Sequence, residues 1–228
     1  YSIEGTDNDL TQLAVNDRLF FLNPKAGMDW MMSPFNRFFA SISQGNREPV
    51  RTDYVDRVTS EKPLPETMTD WELGWEHDRK VWSLQAVAFY MRYHNQLVLT
   101  GALNDTGSPI QQNVDRSYRA GLEWSSAWRP KEGVTWQGMA TWSLNRIDSF
   151  TEILSDYDEG FPSVVEVEHG TTDIAFAPNF TASSVAAYRF WDRSKADGRT
   201  RGTVEWAARY VGKQYLDNTS RDSRSLQS

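Results

Sequence analysis

The sequence predicts an all-β protein: an antiparallel up-and-down sheet of about eight strands that reads as a segment of a transmembrane β-barrel. Three observations predict it. Period-two alternation of apolar and polar residues recurs along the chain, while long helical periodicity is nearly missing. Aromatic residues make up 13% of a chain in which only 39% are apolar, so rings are plentiful in a polar background. The connections alternate between short turns and long polar loops.

The first strands are expected at roughly 19–32 and 37–45, joined by the turn Ser33-Pro34-Phe35-Asn36. A polar loop at roughly 46–66 leads to a strand in which Trp71, Leu73 and Trp75 face one way and Asp70, Glu72, Gly74 and Glu76 the other. After a turn at Asp78-Arg79, a less regular strand covers roughly 80–99, and a second polar loop covers roughly 101–112. Tyr118, Ala120, Leu122, Trp124 and Trp128 then oppose Ser117, Arg119, Gly121, Glu123 and Ser125. The turn Arg129-Pro130-Lys131-Glu132-Gly133 follows.

The clearest strand comes next. Val134, Trp136, Gly138, Ala140, Trp142 and Leu144 share one face, and Thr135, Gln137, Met139, Thr141, Ser143 and Asn145 share the other. A long loop at roughly 149–172, a strand at roughly 173–190 and a turn near Asp192 to Thr200 lead to the last alternation. There Val204, Trp206, Ala208 and Tyr210 oppose Thr203, Glu205, Ala207 and Arg209. Trp136 and Trp142 would stand about 20 Å apart along their strand, which suits the two edges of an apolar band. The same alternation would also serve a soluble Trp-rich β-sandwich that binds glycans, or a purely structural barrel. The sorting of short turns from long loops favours the barrel over the sandwich.

Composition narrows the function classes. A net charge of −7 with scattered Lys and Arg argues against nucleic acid as a partner. Zero Cys removes disulfides and thiolate metal sites. With no run of about 18 apolar residues there is no transmembrane helix, whereas a barrel strand needs only about 9–11 alternating residues. His77, His94 and His169 are dispersed, and no nucleophile-elbow, zinc-protease, phosphate-loop or dinucleotide motif occurs, so no catalytic and no metal residue is assigned, no cofactor is expected, and the chain is read as a non-enzyme. The acidic run Asp156-Tyr157-Asp158-Glu159-Gly160 departs from calcium-loop spacing and reads as a solvated loop.

Five segments, in shared order across nearly the whole chain, carry a resemblance to a known family. They are Phe20-Phe21-Leu22-Asn23-Pro24-Lys25-Ala26-Gly27, Asn46-Arg47-Glu48-Pro49-Val50-Arg51-Thr52-Asp53-Tyr54, and Pro63-Leu64-Pro65-Glu66-Thr67-Met68-Thr69-Asp70-Trp71-Glu72-Leu73-Gly74, followed by Ser117-Tyr118-Arg119-Ala120-Gly121-Leu122-Glu123 and Tyr210-Val211-Gly212-Lys213-Gln214-Tyr215-Leu216-Asp217-Asn218-Thr219. Together they resemble TonB-dependent outer-membrane receptors of the Bacteroides-like type. The resemblance implies a barrel of about 22 strands plugged by an N-terminal domain, of which residues 1–228 would be a partial barrel without the plug and the last strands. It implies the outer membrane of a Gram-negative bacterium. It also implies uptake of a scarce nutrient (iron-siderophore, haem, cobalamin or glycan) with energy supplied by TonB. The partners it implies are outer-membrane lipid, the plug domain, the TonB complex and a small-molecule ligand.

Site residues follow from that frame. Asp70, Glu72, Arg119, Glu123, Glu205 and Arg209 lie on the polar faces of their strands and are expected to line the lumen, against plug or substrate. Charge on the lipid face would cost about 2–4 kcal/mol near the midplane. Arg47, Glu48, Arg51 and Asp53 stand where a strand runs into a loop and are expected to anchor it or touch ligand. Trp71, Trp75, Trp124, Trp136, Trp142 and Trp206, with Tyr118, are expected on the outer face as an aromatic belt.

Overall fold

The structure is a computed structural model that describes residues 2–6, 12–16, 18–55, 62–104, 107–156, 163–195 and 198–226. An N-terminal hairpin pairs Ser2–Thr6 (β1) with Gln12–Asn16 (β2). Then follow Lys25–Ser33 (β3), Asn36–Arg47 (β4), a short helix Arg51–Val55 (α1), Glu66–Asp78 (β5), Trp82–Leu103 (β6), Pro109–Lys131 (β7) and Val134–Ile147 (β8). The second half contains Phe150–Asp156 (β9), Ser163–His169 (β10), Thr172–Asp173 (β11), Phe180–Lys195 (β12), Gly198–Val211 (β13), Gln214–Tyr215 (β14) and Ser225–Leu226 (β15).

Eight of these strands form one antiparallel sheet in the order β3-β4-β5-β6-β7-β8-β12-β13, with β11 also paired to β8. Spatial order equals chain order, so this is the expected up-and-down sheet, open at β3 and β13 among the described residues. Consecutive antiparallel order puts alternate connections at opposite ends. The turns at Pro34-Phe35, Arg79 to Val81 and Glu132-Gly133 lie at one end, and the 48–65, 104–108 and 148–179 connections at the other. Hydrogen bonds from Arg129 N on β7 to Val81 O (2.8 Å) and from Arg189 N on β12 to Gly133 O (2.6 Å) tie two of the short turns to the next strand.

Local chemistry sets these turns. Ser33 Oγ accepts from Phe35 N at 3.3 Å, Asn36 N at 3.1 Å and Asn36 Nδ2 at 2.9 Å, closing the β3–β4 turn from its first residue. Gly133 adopts φ +81°, which L side chains rarely do, so the two-residue turn Glu132-Gly133 needs its glycine.

Directly paired residues share a face, so the registers sort every strand. One face is apolar along all eight strands: Met28 and Trp30; Phe38 and Ala40; Trp71, Leu73 and Trp75; Ala86, Ala88 and Tyr90; Ala120, Leu122 and Trp124; Trp136, Ala140 and Trp142; Phe180 and Ala182; Val204, Trp206 and Tyr210. Tyr118 belongs to it as well. No second sheet covers this face among the described residues, and Trp142 is 58% exposed, so the sandwich alternative is overturned.

Four strand boundaries differ from the sequence expectation. The first sheet strand begins at Lys25, not near 19, since the β3–β4 register starts at Lys25↔Ser43 and Pro24, which has no backbone N–H to give, only accepts from Gln44 N at 2.9 Å. The strand expected from 173 starts at Phe180, because Phe176 turns through φ +56° and Pro178 donates no ladder hydrogen bond. The loop expected at 101–112 shrinks to the tip 104–108, since β6 and β7 go on pairing from Gln96↔Val114 to Leu103↔Pro109. Most of the loop expected at 149–172 is the hairpin β9–β10, in which Phe150↔His169 to Asp156↔Ser163 are paired. The acidic tip obscured the alternation around it. That run itself, Tyr157 to Gly160, lies outside the described residues.

Candidate functional site: the polar wall and the long-loop end

The opposite face of the sheet is the polar wall. All six charged residues expected to line a lumen stand on it: Asp70 opposite Ser43 and Met91, Glu72 opposite Ser41 and Phe89, Arg119 opposite Met91 and Asn145, Glu123 opposite Val87 and Thr141, Glu205 opposite Ala187, and Arg209 opposite Ser183. Asp70 and Arg119 thus share one row across the sheet, with Met91 between them. Glu205 and Arg209, at the β13 edge, are well separated from Asp70 and Glu72. Ser41 Oγ donates to Glu72 at 3.1 Å, and the Arg119 guanidinium lies 6.0 Å from the Tyr93 ring centroid.

The best-formed charged contact on this wall is one the sequence reading did not single out. Arg37 on β4 donates through Nε (2.8 Å) and Nη2 (2.7 Å) to both oxygens of Glu76 on β5, and through Nη1 to Asp29 on β3 at 2.6 Å. Gln85 on β6 donates to the same Glu76 at 3.0 Å. Four strands are thereby stitched by a fork-to-carboxylate pair, the geometry in which guanidinium is strongest. The partners are far apart in sequence, so only the register reveals them.

The wall is not uniformly polar. Phe39 lies over Gly74 and Phe89 over Gly121, so each ring fills the space a side chain would take on the neighbouring strand. Ser83, Ser125, Ala127, Gln137, Met139, Ser183 and Val185 border a shallow groove of about 220 Å³. Its lining is small and hydroxyl-rich, suited to contact with another polar surface.

At the long-loop end the strands carry a small core of their own. Val98, Val114, Ile147, Phe150 and Ile174 are buried together, with Ala177 packed against them. The four residues expected to anchor the first long loop divide. Arg47 pairs with Glu66 at 3.5 Å across the base of that loop, and the buried Asp53 accepts from Val50 N at 2.8 Å at the start of α1. Glu48 sits exposed on the connection between β4 and α1, and Arg51 sits exposed at the first position of α1.

Sequence reasoning missed the densest ionic cluster of this end. Glu152 on β9 is 2% exposed, and Arg224 reaches it at 2.9 Å, Arg221 at 3.1 Å and His169 at 3.1 Å. Arg224 also contacts Asp217 at 2.6 Å. Burial pushes the Asp217 carboxyl up, but hydrogen bonds from Thr219 and Arg224 outweigh it and hold the group below the ordinary carboxylate range. No group of three or more His, Asp or Glu placed to hold a metal occurs among the described residues.

Comparison with known proteins gives the arrangement its family. Residues 1–226 match the family model described as TonB dependent receptor-like, beta-barrel. The fold is similar to the siderophore receptor PiuA from Acinetobacter baumannii (TM-score 0.62, 16% identity, 89% of this chain and 27% of that one). It is also similar to the ferric yersiniabactin uptake receptor FyuA from Yersinia pestis (TM-score 0.57, 16% identity, 90% and 27%) and to the ferric-catecholate import receptor Fiu from E. coli K12 (TM-score 0.57, 15% identity, 92% and 28%). No curated protein matches. The chain spans about a quarter of the length of these solved receptors, whose identities are low enough that they speak for fold alone. A match over almost the whole chain decides the family: the chain belongs to the TonB-dependent receptor-like β-barrel family and, with it, to the outer membrane of a Gram-negative bacterium.

Proposed function

We propose that the chain is part of the wall and loop rim of a receptor that takes up a scarce nutrient with energy supplied through TonB, and that iron-siderophore is the first substrate class to test. The observation that carries the reading is the residue-by-residue separation of an aromatic apolar face from a charged polar face on one sheet whose short turns and long loops are sorted to opposite ends. Lipid solvates the first face and water the second, because charge near the bilayer midplane costs about 2–4 kcal/mol on the lipid side and little on a hydrated one. On this reading Trp71, Trp75, Trp124, Trp136, Trp142 and Trp206 form the lipid-facing belt. Asp70, Glu72, Arg119, Glu123, Glu205 and Arg209 face the lumen and the plug domain, and the 48–65 loop, anchored through Arg47 and Asp53, belongs to the ligand-capturing rim. The family is one of transport receptors, and among the similar structures PiuA is a siderophore receptor and FyuA a ferric yersiniabactin uptake receptor, which supports the iron class. Haem, cobalamin and glycan remain the other classes of the panel, and the Bacteroides-like type rests on the five sequence segments alone.

The test is growth of the native host, with the full-length gene deleted and restored, on iron-siderophores, haem, cobalamin or a glycan as the limiting nutrient. Loss of growth on one class, reproduced by loss of TonB, is the expected result. Unimpaired growth on every class after deletion, or uptake that persists without TonB, overturns it.

A further inference from the structure

Residues 212–226 leave β13 at the long-loop end and double back over the rim. Phe176 N donates to Tyr215 O at 2.9 Å. Asn218, 1% exposed, accepts from Ala175 N at 2.7 Å and donates to Leu99 O at 2.8 Å, reaching β6 across 119 residues of sequence. Ser220 Oγ accepts from Asp173 N at 2.6 Å and lies 3.1 Å from the Asp173 carboxylate, itself paired with Arg146 at 3.1 Å. Within the segment, β14 pairs with β15, and Lys213 pairs with Asp222, so it is a folded strap and not an extended tail.

These contacts bind the strap to β6 and to residues 173–176. Among the described residues, the ion pairs between the strap and the β9–β10 hairpin are of another kind and converge on one carboxylate. Glu152 projects from β9 and is held by Arg221 and Arg224 of the strap at 3.1 and 2.9 Å, with His169 of β10 at 3.1 Å on the same side. A carboxylate buried this deeply needs its partners, and two of the three come from a different loop. The two arginines, by contrast, are 42% and 40% exposed, so their far sides stay open to solvent.

We propose that Glu152 is a clasp that makes the β9–β10 hairpin and the 212–226 strap one mechanical unit, so that the rim above β8–β13 opens by releasing or moving both loops together. Separate loops of this length would fluctuate independently, and each opening of the rim would then involve one of them. With the clasp closed, lifting the strap strips Glu152 of both arginines and leaves His169 as the one partner of a buried carboxylate among the described residues, so the hairpin follows the strap. The inference is independent of which nutrient is taken up.

Amide hydrogen exchange on the full-length receptor in detergent micelles tests it, comparing the unmodified protein with Glu152→Gln. The substitution keeps shape and removes charge. Exchange in 212–226 and in the hairpin strands 150–156 and 163–169 should accelerate together by about tenfold or more, with β7 and β8 unchanged as internal controls. Unchanged strap exchange in this variant, acceleration of the strap without the hairpin, or a strap already unprotected in the unmodified receptor would each overturn the proposal. Should Glu152→Gln prevent assembly, Arg221→Met carries the same measurement from the solvent side. Where both variants assemble, the double variant should exchange no faster than Glu152→Gln alone, and additive effects would mean that the two groups act separately.

Discussion

At the scale of single residues, the polar wall depends on positions where a side chain is missing. A Cβ at Gly121 would stand 2.4 Å from the carbonyl oxygen of Trp142 and 2.7 Å from the Phe89 ring, whereas the three atoms nearest to one at Gly74 all belong to the Phe39 ring, the first at 2.0 Å. A ring can rotate away and a strand backbone cannot. Both Gly121→Ala and Gly74→Ala are therefore expected to destabilise the barrel, within about 1–3 kcal/mol, with Gly121→Ala the more costly. Denaturant unfolding of the full-length receptor in micelles measures the order, and equal costs would mean that the ladder backbone yields as readily as Phe39. In the strap, Asn218 satisfies two backbone groups at once. Asn218→Ala leaves both unmet and should cost about 1–3 kcal/mol, read as faster exchange at Ala175 and across the strap.

At the scale of elements, adjacent residues of β8 face opposite solvents. Ala140, between Trp124 and Ala182, lies on the apolar face, and Thr141, beside Glu123, lies on the polar wall. Ala140→Arg should therefore cost about 2–4 kcal/mol and Thr141→Arg much less, as seen by folding into lipid vesicles. Equal costs would sink the assignment of faces. The strap adds a pH dependence. Hydrogen bonding to Lys213 depresses the Asp222 carboxyl, and Asp217 is depressed by Thr219 and Arg224 against its burial. Depressed carboxylates stabilise the fold above their unfolded range, about pH 4, and that stabilisation disappears as pH falls through the lower folded values. The chain has no Cys. A spin label at Ser223→Cys would therefore report the strap alone in these residues, with mobility rising below about pH 4. Glu152, His169, Arg221 and Arg224 share the site, so Asp217→Asn identifies the carboxylate responsible by loosening the strap already at neutral pH. How far the fold could be read from sequence also belongs to this scale. Strands such as β8 and β13 were legible because parity is local, and so were the six charged wall residues. The partners of Arg37 and of Glu152 were not, because Glu76 and Arg224 are brought to them by register and by a folded-back loop. The β9–β10 hairpin was hidden for a third reason: Phe150, Ile153, Val165 and Val167 flank an acidic tip that dominates any window average.

At the scale of the whole molecule, an eight-stranded sheet with β3 and β13 at its edges presents unpaired backbone groups on both sides. Expressed alone, these 228 residues should aggregate in water or require detergent, because the apolar face runs across all eight strands with Trp30, Leu73, Trp142 and Trp206 exposed on it, and soluble monomers rarely present so broad an apolar patch. Light scattering without detergent checks it, and a monodisperse, cooperatively melting monomer would refute the membrane reading of that face. The sorting of connections has one more consequence, for engineering. Gly133 sits in a two-residue turn with its oxygen hydrogen-bonded to Arg189 of the neighbouring strand β12, so an epitope tag spliced there must break the link between that turn and β12. At the tip, Gly107 N and Ser108 N donate to Asn104, and Asn104 N donates to Ser108 O at 2.9 Å. On the proposed receptor reading the long-loop end faces the medium, so a tag inserted at that tip is expected to bind antibody on intact cells, a handle for labelling living bacteria that the short-turn end denies.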